Sequence, residues 1–200
     1  MISATFLALL AAGQKDATAL EFFPLNPGDR YVYEEEYNKM KKLFTDVVGA
    51  PKDINGRVSY PVETLTAGQS LGKVYYNIDK DRVLVTGMDF GDPIASPYPI
   101  LVVGKGTQKF SWAGEVPVPN GTPEPLAIVG EAKPGRAVEL FGKRRATVEI
   151  TLNMDLLGLL TVQKSVYAEG LGLVSMVEET GKKKVRRTRK LVSYEPAGGS

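Results

Sequence analysis

The sequence predicts an all-β domain of about eleven antiparallel strands with little helix. Three observations carry that reading. From Arg30 onward, short runs rich in Val, Ile, Thr and Tyr alternate apolar and polar side chains with period two. Turn signals such as Asn55-Gly56, Asp79-Lys80-Asp81 and Gly142-Lys143 punctuate them, and no long stretch holds a helical period. A sheet of that size must curl, split or close.

Residues 2–12 form an apolar run too short for a bilayer-spanning helix, which needs about 20 residues. Ala17-Thr18-Ala19 supplies a small-x-small cleavage pattern. Residues 1–19 therefore read as a signal peptide, and the protein as secreted or periplasmic with no transmembrane segment. The alternative is an N-terminal helix packed on the domain. No cysteine follows the run, which excludes a lipid anchor of the lipoprotein type. The single β domain then spans residues 20–195, and 196–200 read as a disordered tail.

The first strands are 30–39, carrying Tyr31, Tyr33 and Tyr37, and 42–48. Asn55-Gly56 is a hairpin signal because both residues tolerate positive φ. It joins the second strand to 57–66, where Val58, Tyr60, Val62 and Thr64 share a face and Pro61 argues for a sheet edge. Residues 73–79 and 82–88 form a hairpin, followed by strands at 106–113, 126–132 and 136–140. In 145–152, Ala146, Val148, Ile150 and Leu152 alternate with Thr147, Glu149 and Thr151. The last strands are 159–168, 172–179 and 183–194. Two proline-rich loops, 91–99 and 116–125, bracket Trp112, the only tryptophan.

Composition removes much chemistry. The chain has no histidine and no cysteine, so imidazole bases, serine-histidine nucleophiles, thiolates and the usual zinc ligand sets are excluded. A net charge of +2 gives little long-range attraction to nucleic acid. Lys182, Lys183, Lys184, Arg186, Arg187, Arg189 and Lys190 are the densest charge cluster; they could contact an anionic surface, or protect a terminal edge strand. Glu178 and Glu179 lie across the turn at Gly181 and partly neutralise it. The aromatic interleaving of a single-strand nucleic-acid binder is missing, so no nucleic-acid partner is expected. Glu34 and Glu36 share one strand face and Glu35 points oppositely. Asp53-Ile54-Asn55-Gly56 reads as a turn and not a calcium loop, and no metal or cofactor is expected. Asp89-Phe90-Gly91, Ser70-Leu71-Gly72-Lys73 and Gly104-Lys105-Gly106-Thr107 copy fragments of catalytic motifs without their partners. Asn120-Gly121-Thr122 is a formal glycosylation acceptor.

The run Phe23-Pro24-Leu25-Asn26-Pro27-Gly28-Asp29-Arg30-Tyr31-Val32-Tyr33 and the run Tyr167-Ala168-Glu169-Gly170-Leu171-Gly172-Leu173-Val174 carry a resemblance. With them the chain resembles a loose group of uncharacterised bacterial secreted proteins, themselves similar in outline to the lipoprotein-carrier architecture. The resemblance implies a strongly curved antiparallel sheet, or half-barrel, around an apolar concavity, and lipid-like or apolar ligand binding as one function. Residues 154–160 (Leu156, Leu157, Leu159, Leu160) would be an apolar lid or a buried strand start.

Three readings follow. In the first, a non-enzymatic secreted or periplasmic domain holds an apolar small molecule or an envelope protein on its concave face, with Trp112, Tyr98 and Leu156 lining a mouth formed by the proline-rich loops. In the second, an envelope interaction module uses the basic C-terminal hairpin. In the third, a hydrolase works with carboxylates alone, Glu34, Glu36 and Asp89 being the first to test.

Overall fold

The structure, a computed structural model, describes residues 18–89, 93–118, 121–182 and 185–198. One helical turn, Ala19–Phe22 (α1), precedes fifteen strands among the described residues: Arg30–Tyr37 (β1), Met40–Val48 (β2), Lys52–Ile54 (β3), Arg57–Thr66 (β4), Gln69–Asp79 (β5), Arg82–Met88 (β6), Tyr98–Val102 (β7), Gln108–Val116 (β8), Glu124–Pro134 (β9), Val138–Leu140 (β10), Lys143–Arg145 (β11), Thr147–Leu156 (β12), Leu159–Ala168 (β13), Gly172–Thr180 (β14) and Val185–Glu195 (β15). The all-β expectation holds.

Thirteen strands form one antiparallel sheet in the order β7-β6-β5-β4-β2-β1-β15-β14-β13-β12-β9-β8, with β3 beside β4; β10 and β11 make a separate hairpin. The sheet curves until its two ends nearly meet. No ladder joins β7 to β8, yet the Tyr98 and Trp112 rings lie 5.4 Å apart and Trp112 Nε1 donates to Ser96 Oγ at 3.3 Å across the seam. Neighbouring hairpins step down in register: Thr161 faces Thr180, and Arg187 faces Tyr37, each lower on its strand than the last tip. That stagger tilts strands against the axis of a closing barrel and brings the tips to one rim.

Glycines let the sheet bend. Gly130 faces Phe110 across β8 and β9, and a Cβ there would sit 2.2 Å from the Phe110 ring. The ring lies flat over the glycine, an arrangement that shields bare backbone in curved sheets. Gly130→Val is expected to drive Phe110 out of its rotamer and cost about 1–3 kcal/mol, measured as a shift of the urea midpoint. Gly130→Val with Phe110→Ala should recover part of that loss, since the clashing ring is gone.

Several expectations change. Asn55-Gly56 does form the hairpin turn, with φ of 52° and 76°, but it joins β4 to the short β3 and not to β2. Pro61 lies in an interior strand. It is tolerated because it falls where the neighbour of β4 changes from β3 (through Ser59) to β2 (from Val62), and there its carbonyl accepts from Gly49 N–H at 2.7 Å. β15 is likewise not an edge: β1 and β14 flank it, because the first and last strands of the sheet pair. β7 escapes a pattern reading because Pro99 sits inside it, and it ends the sheet, where a proline costs no ladder bond. Residues 154–160 are the end of β12, a turn, and the start of β13.

The far end of the barrel from the rim is plugged by residues 18–25. Of the expected signal peptide, residues 1–17 lie outside the described residues. Thr18 and Ala19 belong to the folded unit: Thr18 N–H donates to Glu21 Oε2 at 3.1 Å, and Ala19 is fully buried and donates to Lys80 O at 3.3 Å. The two runs that carried the resemblance meet here. Gly170 N–H donates to Glu21 O at 2.7 Å, the Phe23 and Tyr167 rings lie 6.0 Å apart, and Pro24 packs over Gly172. Asp29, buried, accepts from Asn26, from the Tyr31 and Tyr194 hydroxyls and from Ala197 N–H at 2.8 Å, so the expected tail is tied at least to Ala197.

Candidate functional site

The concave face holds a partly open cavity of about 490 Å³. Alternation sets its lining, since every second residue of each strand points inward. Phe23, Pro24 and Leu25 form its floor. Val74 and Tyr76 of β5, Val85 of β6, and Tyr98 and Ile100 of β7 make one wall. Leu152, Met154, Tyr167, Leu173 and Met176 of β12, β13 and β14 make the other. Burial pushes the Tyr98 and Tyr167 hydroxyls up to about 12 and also raises those of Tyr31, Tyr33 and Tyr76 well above the usual phenol value. These phenols stay neutral in the folded protein and act as apolar walls with a polar tip.

Toward the rim the lining becomes charged. Arg189 Nη2 lies 3.1 Å from Asp46 Oδ1, its Nε 4.0 Å from Glu35 Oε2, and its guanidinium carbon 4.3 Å from the Tyr33 ring centre. Asp46 also accepts from Thr64 Oγ1 at 2.7 Å. One step on, Arg187 Nη2 pairs with Glu178 Oε2 at 3.1 Å. These two residues line the cavity and also a second, outer chamber of about 510 Å³ bounded by Tyr37, Met40, Phe44 and Val185. The arrangement is an apolar chamber closed below by the N-terminal segment and separated from the open rim by a charged collar.

The three apolar candidates fare differently. Tyr98 lines the cavity. Trp112 stands behind it at the seam, and Leu156 lies at the rim end of β12, both packed on the apolar core rather than on the cavity. The basic cluster is divided by strand alternation. Arg187 and Arg189 turn inward and are matched by carboxylates, while Arg186 and Lys190 are exposed on the other face and Lys182 at the turn; Lys183 and Lys184 lie outside the described residues. Glu178 does neutralise the cluster across the hairpin. Phe90 and Gly91 of the Asp-Phe-Gly triplet, and Asn120, also lie outside the described residues.

Of the carboxylates proposed for hydrolysis, Glu34 and Glu36 sit two residues apart on the outer face of β1, and Asp89 is not brought to them. Glu34 bonds Lys41 Nζ at 2.8 Å and Asp89 accepts from the Tyr75 hydroxyl at 3.2 Å. Their strands are separated by β2, β4 and β5, four strand spacings or roughly 19 Å along the sheet, against the 5–9.5 Å that such a pair requires. Glu35, which the alternation turns inward, is the member of that run that reaches the cavity collar.

Pattern reading missed Asp46, Tyr76 and Gln163 as cavity residues. The alternation in Tyr31, Tyr33, Glu35 and Tyr37 did carry the signal for β1, but identifying its partner needed the pairing with β15. Among the described residues no helix is long and apolar enough to cross a membrane.

No family model matches the sequence, and no curated protein does. Two solved structures match this chain. A putative lipoprotein from Parabacteroides distasonis superposes with a TM-score of 0.53 at 12% identity, over 90% of this chain and 100% of its own. A putative exported protein with YmcC-like fold from Bacteroides fragilis gives a TM-score of 0.44 at 13% identity, over 88% of this chain and 99% of its own. The first of these shares the curved-sheet fold with this chain.

Proposed function

We propose that this chain is a non-enzymatic binding protein of the bacterial cell envelope that holds a lipid-like or apolar ligand inside its curved sheet. The observation that carries the reading is the cavity of about 490 Å³, of the size of small-molecule sites and walled by aliphatic and tyrosine side chains with a few polar groups at one end. The envelope setting is supported by the apolar run at residues 2–12 and by the fold shared with the Parabacteroides protein. The lack of histidine and cysteine, and the separation of Glu34 and Asp89, support a binding role over hydrolysis.

The test is native mass spectrometry of the purified protein with solvent extraction, together with titration of N-phenyl-1-naphthylamine followed by fluorescence. Val74→Trp fills the chamber from β5. The expected result is probe binding by the parent and an affinity at least about tenfold weaker in the variant, with little change in melting temperature. No co-purifying molecule and equal probe binding by both proteins would overturn the proposal.

A further inference from the structure

The chamber wall on the β5–β7 side carries two polar groups at one level. Tyr76 lies opposite Val85, and Val85 opposite Tyr98, so the two tyrosines stand on one rung of the ladder and leave the same concave face. Both line the cavity, and Tyr98 is only 9% exposed. Elsewhere in the cavity wall the phenols are engaged: Tyr31 donates to Asp29 Oδ2 at 3.2 Å and Tyr33 to Leu173 O at 3.2 Å. Among the described residues no hydrogen bond reaches the hydroxyl of Tyr76 or of Tyr98. Neither oxygen is sealed inside the wall, since the buried side-chain nitrogens and oxygens that lack a partner are the Nε atoms of Arg145, Arg187 and Arg189. Two free hydroxyls therefore face the chamber. Phenylalanine would fill the same wall with no polar tip to satisfy.

The charges around the two chambers cancel. Arg187 pairs with Glu178 and Arg189 with Asp46, each at 3.1 Å, and Lys42 lies opposite Glu35 in the pairing of β1 with β2. These three cations and three carboxylates are the charged lining among the described residues, so no cation is left over for an anionic head. A carboxylate or phosphate entering the collar has to break one of the pairs and strand a poorly solvated charge. An alcohol or a carbonyl requires no such exchange, and a phenol can donate to either. Size narrows the class again. At roughly 30 Å³ per non-hydrogen atom, a water's share of the liquid, the cavity takes about 16 such atoms. One chain with a small head fits, and a phospholipid with two chains does not.

We infer that the ligand of the chamber is an uncharged single-chain lipid whose hydroxyl or carbonyl group bonds the Tyr76 or Tyr98 hydroxyl. This assignment rests on the binding role proposed above and narrows it: fatty acids and phospholipids are rejected by the collar, and plain hydrocarbons leave both phenols unused.

Displacement of N-phenyl-1-naphthylamine from the full chain by 1-tetradecanol, sodium myristate and tetradecane, equal in chain length, is the test. The alcohol is expected to displace the probe at a concentration at least about tenfold below that of myristate. Tyr76→Phe with Tyr98→Phe removes two oxygens that bond nothing in the protein, so the melting temperature should hold. With displacement corrected for each protein's own probe affinity, the double variant should bind tetradecanol about threefold to tenfold more weakly than the parent. Its affinity for tetradecane should be unchanged, which a general disturbance of the wall would not allow. Equal displacement by myristate and alcohol, parental affinity of the double variant for tetradecanol, or an equal loss for tetradecane would overturn the assignment and leave the binding role standing. Absence of probe binding by the parent would overturn both.

Discussion

Arg189→Met is expected to lower the unfolding free energy by about 3–5 kcal/mol, the range seen when one partner of a buried ion pair is removed. The arginine side chain is 15% exposed and that of Asp46 13%, so solvent screens neither well. Methionine matches the alkyl stem and still packs on Tyr33, but it removes the guanidinium that lies between Asp46 and Glu35 and leaves the buried Asp46 without its cation. Asp46 keeps only its bond from Thr64 Oγ1. Urea titration is the measurement, because guanidinium would screen the charges under test. Adding Asp46→Asn and Glu35→Gln to Arg189→Met should return much of the loss, since what destabilises is the unpaired charge and not the missing contact. A cost below about 1 kcal/mol would place the collar among ordinary surface pairs. The collar is also where the apolar chamber meets the outer one, so a weakened collar bears on entry as well as on stability.

How far the sequence foretold this is clearest at β1 and β15. Period-two alternation puts Tyr31, Tyr33, Glu35 and Tyr37 on one face of β1, and it divides the C-terminal basic run into inward Arg187 and Arg189 and outward Arg186 and Lys190, but which face turns inward is read only from the structure. What pattern could not supply was that these two strands, more than 150 positions apart, lie side by side, with Glu35 opposite Arg189. Without that pairing the run reads as a charged edge. Local rules succeeded where a turn's chemistry is self-contained, as at Lys80 with its φ of 55° between β5 and β6. They failed at Pro61, where a long-range change of neighbour excuses the proline, and at β7, whose pairing with β6 outweighs Pro99. For the site, Tyr98 was legible as an aromatic, but within a proline-rich loop, and the structure places it at the start of β7. Asp46 was not, because a lone acid in a β-strand looks solvent-facing until Arg189 is placed against it.

The other large effect is expected in alkali. Five tyrosines buried in and under the cavity, Tyr31, Tyr33, Tyr76, Tyr98 and Tyr167, ionise only well above the usual value of 10.0, Tyr98 and Tyr167 at about 12, with burial the leading cause in each. A raised value in the folded state means that their contribution is complete below pH 10. It is lost as pH climbs from 10 through 12, because the unfolded chain releases protons that the folded one retains. Each such group tips the balance by about 1.4 kcal/mol per pH unit in that window, and five together by roughly 7 kcal/mol. Against a total stability of about 5–15 kcal/mol this is enough to unfold the domain within one or two pH units. Tyrosinate absorbance and far-ultraviolet circular dichroism, followed together, should therefore change in one cooperative step above pH 10. Tyr98→Phe removes one titrating group from the seam wall and should move that step to higher pH. A gradual absorbance rise with the dichroism intact through pH 12 would mean that hydroxide reaches the phenols in the folded state, through a cavity that water fills. Saturating the protein with an apolar ligand separates the two cases: expelling that water should restore the cooperative step only if the chamber is the route by which it enters.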